Sequence, residues 1–222
     1  MLLTPSEWAM LKTSSLESLY MVSVSALLTA LAGIPLGVLL VVCRQGHILE
    51  NRPLSRSLAF LVNATRSIPF PIFIVFVMPL TRLLAGTSIG TTATIVPLTL
   101  GAVVFMARLA ETALLEVPFG VIEAAQTAGA SNRQIIWRVL LPEARAGLIM
   151  AVTITIITLV SYSAMAGYIG GGGLGDLAIR YGYQRYQTRI MLVTVALLIA
   201  AVQAIQALGD LLVRGISWRR QG

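Results

Sequence analysis

Residues 123–142 read EAAQTAGASNRQIIWRVLLP, a polar, helix-prone stretch in a chain that is otherwise mostly apolar. Two long uncharged stretches, residues 83–107 and 146–175, lie on either side of it. Ala, Glu and Gln favour a helix before Gly129, which ends it. Ser131 can cap a second helix by accepting an early backbone N–H. The stretch therefore predicts two short helices that meet at an angle around Gly129.

The rest of the chain has the composition of a membrane protein. It is 57% hydrophobic and only 11% charged, whereas soluble domains carry about 25% charged residues. A helix needs about 20 predominantly apolar residues to cross the hydrocarbon core. The sequence predicts an all-α integral membrane protein with one domain over residues 1–222 and five transmembrane helices. The predicted spans cover residues 18–43, 58–81, 91–115, 144–166 and 189–213.

The second predicted span is interrupted by proline. Pro69, Pro71 and Pro79 each remove a backbone donor and disfavour helix at the preceding residue. We therefore expect a break near residues 67–69. Irregular backbone at membrane depth is tolerated only where protein buries it or a cavity hydrates it, which makes this segment a candidate pathway lining. Arg66 either extends to the inner interface or has a functional role.

The distribution of basic residues predicts the orientation. The net charge is +7. Ten basic residues fall on one side of the predicted spans and five on the other, and the side with more is expected to be cytoplasmic. The N-terminus is then outside, and the C-terminus and residues 117–142 are inside. The larger group is Arg44, Arg52, Arg56, Arg108, Arg133, Arg138, Arg145, Arg214, Arg219 and Arg220. The smaller group is Lys12, Arg82, Arg180, Arg185 and Arg189.

The segments on the outer side are expected to be short. Residues 1–16 read as an external segment or an interfacial helix. Residues 170–173 are all glycine and predict a flexible external turn, with residues 175–187 forming the rest of an outer loop. No Gly-Lys-Ser or Gly-Lys-Thr follows the glycines, so they are not a phosphate-binding loop.

No catalytic, cofactor-binding or metal-ligating residues are predicted. The sequence has no nucleotide-binding motif and no plausible catalytic triad. Cys43 and His47 are the only residues of their kinds. Cys43 is expected to pack as a small apolar residue, and His47 to lie in a solvated loop. An energised function would therefore need another subunit.

The polar stretch resembles the cytoplasmic coupling loop of bacterial ABC importer permeases. The family pattern is Glu-Ala-Ala, three residues, Gly, nine residues, Ile, one residue and Leu-Pro. The chain departs from it only at Val139, which keeps the branched apolar character. The resemblance implies coupling to a cytoplasmic ATPase that itself binds ATP and Mg²⁺. The implied ATPase-coupling residues are Glu123, Ala124, Ala125, Gly129, Arg133, Leu141 and Pro142.

Within that family, nearly the whole chain looks most like permeases of methionine importers. The resemblance implies two copies of the ATPase and an extracytoplasmic, methionine-binding lipoprotein, in the bacterial inner membrane. Five spans are too few to enclose a solute path comfortably, so a homodimer is expected. Membrane lipid is expected around it, and no nucleic-acid partner is expected. The implied pathway and gate residues are Ser161, Tyr162, Ser163 and Met165. The signatures are residues 66–70 (RSIPF), 86–90 (GTSIG), 95–99 (IVPLT), 113–118 (ALLEVP) and 161–167 (SYSAMAG).

Two other functions stay open at this point. The same machine could import another amino acid or a small amine, because the binding protein largely selects the substrate. A passive channel or an intramembrane enzyme belongs to a different class and predicts charged or catalytic groups deep in the spans. Apart from Arg66, the predicted spans lack such groups, and a channel leaves the coupling loop unexplained.

Overall fold

The computed structural model describes residues 4–217, and the predicted cytoplasmic Arg219 and Arg220 lie outside the described residues. Every regular element in residues 4–217 is helical. The α-helices are α1 Pro5–Val42, α2 Arg52–Arg66, α3 Phe70–Phe76, α4 Met78–Ala85, α5 Thr91–Leu115, α6 Phe119–Thr127, α7 Asn132–Ile135, α8 Leu141–Glu143, α9 Arg145–Ala166, α10 Gly173–Leu177 and α11 Thr188–Ser217. Two π-helical segments, Ile136–Leu140 and Ala178–Tyr183, and a 3₁₀ turn, Gly167–Ile169, join some of them.

Helix α1 is longer than the first predicted span. Thr4 and Glu7 form a capping box at its start, in which the Thr4 N–H donates to Glu7 Oε2 at 2.6 Å. At 1.5 Å per residue, its 38 residues reach about 57 Å, well beyond the hydrocarbon core. From Pro5 onward, the expected external segment is therefore a continuation of the first span. The physical reason is that no helix-breaking residue separates the two parts.

Helices α1 and α5 pack closely along a stripe of small residues. Ser25, Thr29, Gly33 and Gly37 recur every four residues on α1 and are buried. A Cβ at Gly37 would lie only 2.6 Å from the Cβ of Ala110 on α5. Small residues let helices in lipid approach closely and gain dispersion contacts. This pair forms the centre of the fold.

The predicted break in the second span is confirmed. Helices α2 and α3 meet at 105° across residues 67–69. Four helices (α1, α5, α9 with its 3₁₀ turn, and α11) are long and apolar enough to cross a membrane, and the bent pair makes five. Near the C-terminal end of α2, Arg108 of α5 donates to Glu111 at 2.5 Å and to Asn63 Oδ1 at 2.7 Å. The hydrogen bond from Arg108 to Asn63 joins α5 to α2, and the ion pair with Glu111 lies within α5.

The expected outer loop over residues 175–187 is mostly helical, so that expectation was wrong, whereas residues 170–172 lie outside any helix, as the predicted turn requires. Helix α10 and the following π-helical segment occupy residues 173–183. The cause is a contact from a distant part of the chain. Glu17 Oε2 accepts from the Gly173 N–H at 2.8 Å, and Ser18 Oγ accepts from the Leu174 N–H at 2.8 Å. Side chains of α1 thus cap the start of α10.

Candidate coupling surface and translocation cleft

The turn between α6 and α7 has the shape that the sequence predicts. Gly129 adopts φ +80°, a left-handed conformation that favours glycine. The Gly129 N–H donates to Gln126 O at 2.9 Å, and the Ala130 N–H donates to Ala125 O at 3.0 Å. Ser131 caps α7, with its N–H donating to Gln134 Oε1 at 2.8 Å. The two short helices are therefore joined by a hydrogen-bonded turn.

This pair of helices is anchored in the membrane domain. Ile122, Ile135 and Leu140 are at most 2% exposed. They belong to one apolar cluster with Val41 at the end of α1 and Leu114 at the end of α5. The two short helices are therefore packed directly against the ends of the two central spans.

A second set of contacts ties α6 and α7 to the loop after α1. Asn132 Nδ2 donates to Ile48 O at 3.3 Å. The ring of His47 lies edge-on to Phe119, with the ring centroids 6.0 Å apart. Partial burial lowers the pKa of His47, because desolvation disfavours the imidazolium. The loop thus has a neutral aromatic contact with α6, and the expected solvated histidine is half-buried instead.

The predicted coupling residues divide into exposed and supporting positions. Exposed positions are Glu123, Ala124, Gly129, Arg133 and Pro142. Ala125 and Leu141 are half-buried and pack against the apolar cluster beneath the helices, where they support the exposed surface. The side chains of Glu123 and Arg133 make no hydrogen bond or ion pair with any residue in 4–217.

A shallow groove lies beside these exposed residues. Its volume is about 290 Å³, and Ser131, Arg133, Gln134, Trp137 and Arg138 line it. Trp137 is 66% exposed, and exposed aromatic and Arg side chains are the residue types enriched at protein interfaces. Trp137 was not among the predicted site residues, although a tryptophan inside a polar stretch was a usable signal.

A larger cleft opens between α9, α10 with its π-helical extension, and α11. Its volume is about 620 Å³. Two of the predicted pathway residues, Ser161 and Met165, line it. They are four apart on α9 and therefore share a face. Met165 is 43% exposed, so its thioether side chain is free to contact a solute or a partner.

The other two predicted pathway residues point elsewhere. Tyr162 stacks on Phe70 of α3 with ring centroids 3.9 Å apart and an interplanar angle of 2°. It borders a separate cavity of about 230 Å³ that the exposed Arg66 also lines. Ser163 is buried, and its hydroxyl donates to Val160 O at 2.8 Å. The four predicted pathway residues therefore lie on three different faces of α9.

Two polar residues that were not predicted from the sequence also line the cleft. Tyr168 follows α9, and Gln203 lies near the middle of α11. A usable signal existed for Gln203, because it is one of only two amides in an uncharged stretch of 20 residues, 190–209. No sequence signal placed Tyr168 in the same cleft, because its position there depends on how α10 packs.

Known proteins that resemble this chain include membrane components of transport systems. Residues 15–219 match the family model of the binding-protein-dependent transport system inner membrane component. The chain is 55% identical over 210 residues to a probable D-methionine transport system permease protein MetI of Vibrio cholerae, covering 95% of this chain and 93% of that protein. It is 44% identical over 208 residues to the Pasteurella multocida protein of the same name, covering 94% and 96%.

Solved structures agree with this assignment. A chain from the inward-facing MetNI methionine ABC transporter superposes with a TM-score of 0.95 at 47% identity, covering 96% of this chain and 99% of that one. An amino acid ABC transporter with histidines superposes at 0.77 with 15% identity, which shows the fold alone. The family model matches far more than half of the residues. The chain belongs to the family of binding-protein-dependent transport system inner membrane components.

Proposed function

We propose that this chain is the permease subunit of an ATP-driven ABC importer for methionine. The observation that carries the proposal is the near-full-length likeness to proteins named D-methionine permeases, at up to 55% identity. The likeness in fold to the MetNI methionine transporter supports it. The permease itself is not an ATPase. It supplies the membrane path, and a separate cytoplasmic subunit binds and hydrolyses ATP with Mg²⁺.

The coupling surface is proposed to dock into that ATPase. Glu123 and Arg133 offer opposite charges with no partner among the described residues, so both can pair with an ATPase groove. Gly129 makes the turn, and Trp137 offers an apolar anchor. Helices α6 and α7 pack into one apolar cluster with the ends of α1 and α5. Closure of the ATPase dimer would therefore move these spans as rigid bodies.

The assembly is proposed to be a homodimer with two ATPase copies and an extracytoplasmic binding lipoprotein. Helix α11 is the least buried of the four unbroken spans, so most of its surface is open to lipid or to a second copy. In this proposal the whole chain is one transmembrane domain. It lies in the inner membrane. The N-terminus is outside and the C-terminus inside, as the count of basic residues favours.

Met165 is proposed to act at the gate of the path. Its flexible, polarisable thioether can adapt to a closure of changing shape, and it lies exposed in the large cleft with Ser161. Tyr162 and Ser163 are proposed to act indirectly. Tyr162 fixes α9 against α3 by stacking on Phe70, and Ser163 packs inside the helix bundle.

The test is reconstitution of the chain with the ATPase that co-purifies with it. The complex is placed in proteoliposomes with its binding protein and labelled methionine. We expect uptake that requires ATP and the binding protein, and a reduced rate of uptake per ATP in Glu123→Ala. Gln126→Ala, at another exposed position of α6, is the matched control. Uptake without ATP, or a chain that purifies alone, would overturn the proposal.

A further inference from the structure

An unpaired amide lies at mid-membrane depth in the large cleft. Gln203 is near the centre of α11, and its side chain makes no hydrogen bond to any residue in 4–217. Its neighbour Gln206 differs, because Gln206 Nε2 donates to Asp210 Oδ1 at 3.1 Å. Within one helix, therefore, one amide has a protein partner and the other does not.

An amide in this position needs a polar partner. Lipid tails offer no hydrogen bonds, so a polar side chain at membrane depth is expected to face a cavity, water, a solute or another helix. Gln203 is exposed and lines the same cleft as Ser161 and Met165. The partner it lacks must therefore come from whatever enters or covers this cleft.

The chemistry of the cleft restricts what can enter. No Asp, Glu, Lys or Arg lines it, and its wall is mostly apolar, including Met165, Leu198 and the ring of Tyr168. Its volume of about 620 Å³ falls in the range of small-molecule sites. A solute with net charge would lose its hydration without gaining a counter-ion. The ammonium and carboxylate of a zwitterionic amino acid act as counter-ions to each other, so its polar end can contact the amide while an apolar side chain contacts the wall.

We propose that Gln203 and Ser161 form a transient contact site for the polar end of a neutral amino acid, with Met165 and Leu198 against its side chain. The inference rests on the proposed function and deepens it, because it places the solute on α9 and α11 of the permease. The Gln203 amide donates to the carboxylate of the solute or accepts from its ammonium group, and the Ser161 hydroxyl can do either.

The test uses the complete complex in proteoliposomes with saturating binding protein and labelled methionine. Gln203→Leu removes the amide at similar size, and Ala204→Leu introduces the same side chain one residue further, outside the cleft lining. Losing one hydrogen bond to the solute lowers the maximal uptake rate about three- to tenfold in Gln203→Leu. Ala204→Leu is expected to stay within about twofold of the wild type, and Gln203→Asn to recover part of the loss.

Subunit mass and basal ATP hydrolysis are measured for each variant. Unchanged mass and hydrolysis with reduced uptake in Gln203→Leu support the contact site. Unchanged uptake in Gln203→Leu overturns it. Dissociation of the permease dimer in Gln203→Leu also overturns it, because the amide then pairs with a second copy of the chain. Failure of the wild-type complex to import methionine overturns the proposed function, and this result is distinct from either variant result.

Discussion

Replacing Gly129 by Ala tests whether the backbone itself requires glycine at the coupling turn. Its φ of +80° costs an ordinary L-residue about 1–2 kcal/mol. A Cβ built there meets nothing within 4 Å, so no steric penalty is added. For a chain of this size, 1 kcal/mol corresponds to about 2–4 °C in Tm. We therefore expect Gly129→Ala to lower Tm by about 2–8 °C.

Gly120 provides the matched control. It lies in helix α6, and a Cβ there also meets nothing within 4 Å. The same substitution should therefore be neutral or stabilising, by up to about 1 kcal/mol, because alanine favours helix over glycine. Both variants add one methyl group into open space and differ in the backbone conformation of the substituted residue.

The assay is thermal unfolding of the purified complex in detergent, together with the number of methionines imported per ATP. A Gly129→Ala variant as stable as the wild type, or a Gly120→Ala variant destabilised to the same extent, would refute the backbone argument. Gly129→Asp separates fold from coupling, because Asp tolerates positive φ better than most residues. We expect it to fold and yet to uncouple transport, since its carboxylate would project toward the ATPase.

Three further predictions concern parts of the chain outside the coupling turn. Glu17→Ala removes the acceptor for the Gly173 N–H and should cost about 1 kcal/mol. Faster amide exchange at residues 173–177, absent in Glu17→Gln, is the measurement. Gly37→Ala forces a Cβ within 2.6 Å of Ala110 and should lower stability by about 1–3 kcal/mol, and an unchanged thermal midpoint would contradict it. Burial lowers the pKa of His47 in the folded protein. The unfolded protein therefore binds a proton first as pH falls below about 6.5, the usual pKa of histidine. The free energy of unfolding decreases from that pH down to the lowered pKa. The loss of thermal midpoint between about pH 8 and pH 5 should shrink in His47→Gln, and an equal loss in both proteins would contradict the assignment.

Local features of the sequence determined much of this protein. Runs of apolar residues indicate the spans, because a helix of about 20 such residues is long enough to cross the hydrocarbon core. Pro69 indicates the break between α2 and α3, since proline disfavours helix at the residue before it. Gly129 and Ser131 predict the coupling turn, because each acts on the backbone next to it. These features depend on neighbouring residues and need no tertiary contact.

Only the tertiary structure decided which face of each span points inward. In a soluble helix the polar face reveals the buried one, but in lipid both the surroundings and the core are apolar. The sequence therefore could not show that Ser161 lines the cleft while Tyr162, one residue or about 100° away, stacks on Phe70. It also could not show that Glu17 would cap α10 across 156 residues of sequence. The position of Gln203 beside Met165 depends on the same packing, because the cleft exists only once α9, α10 and α11 have come together.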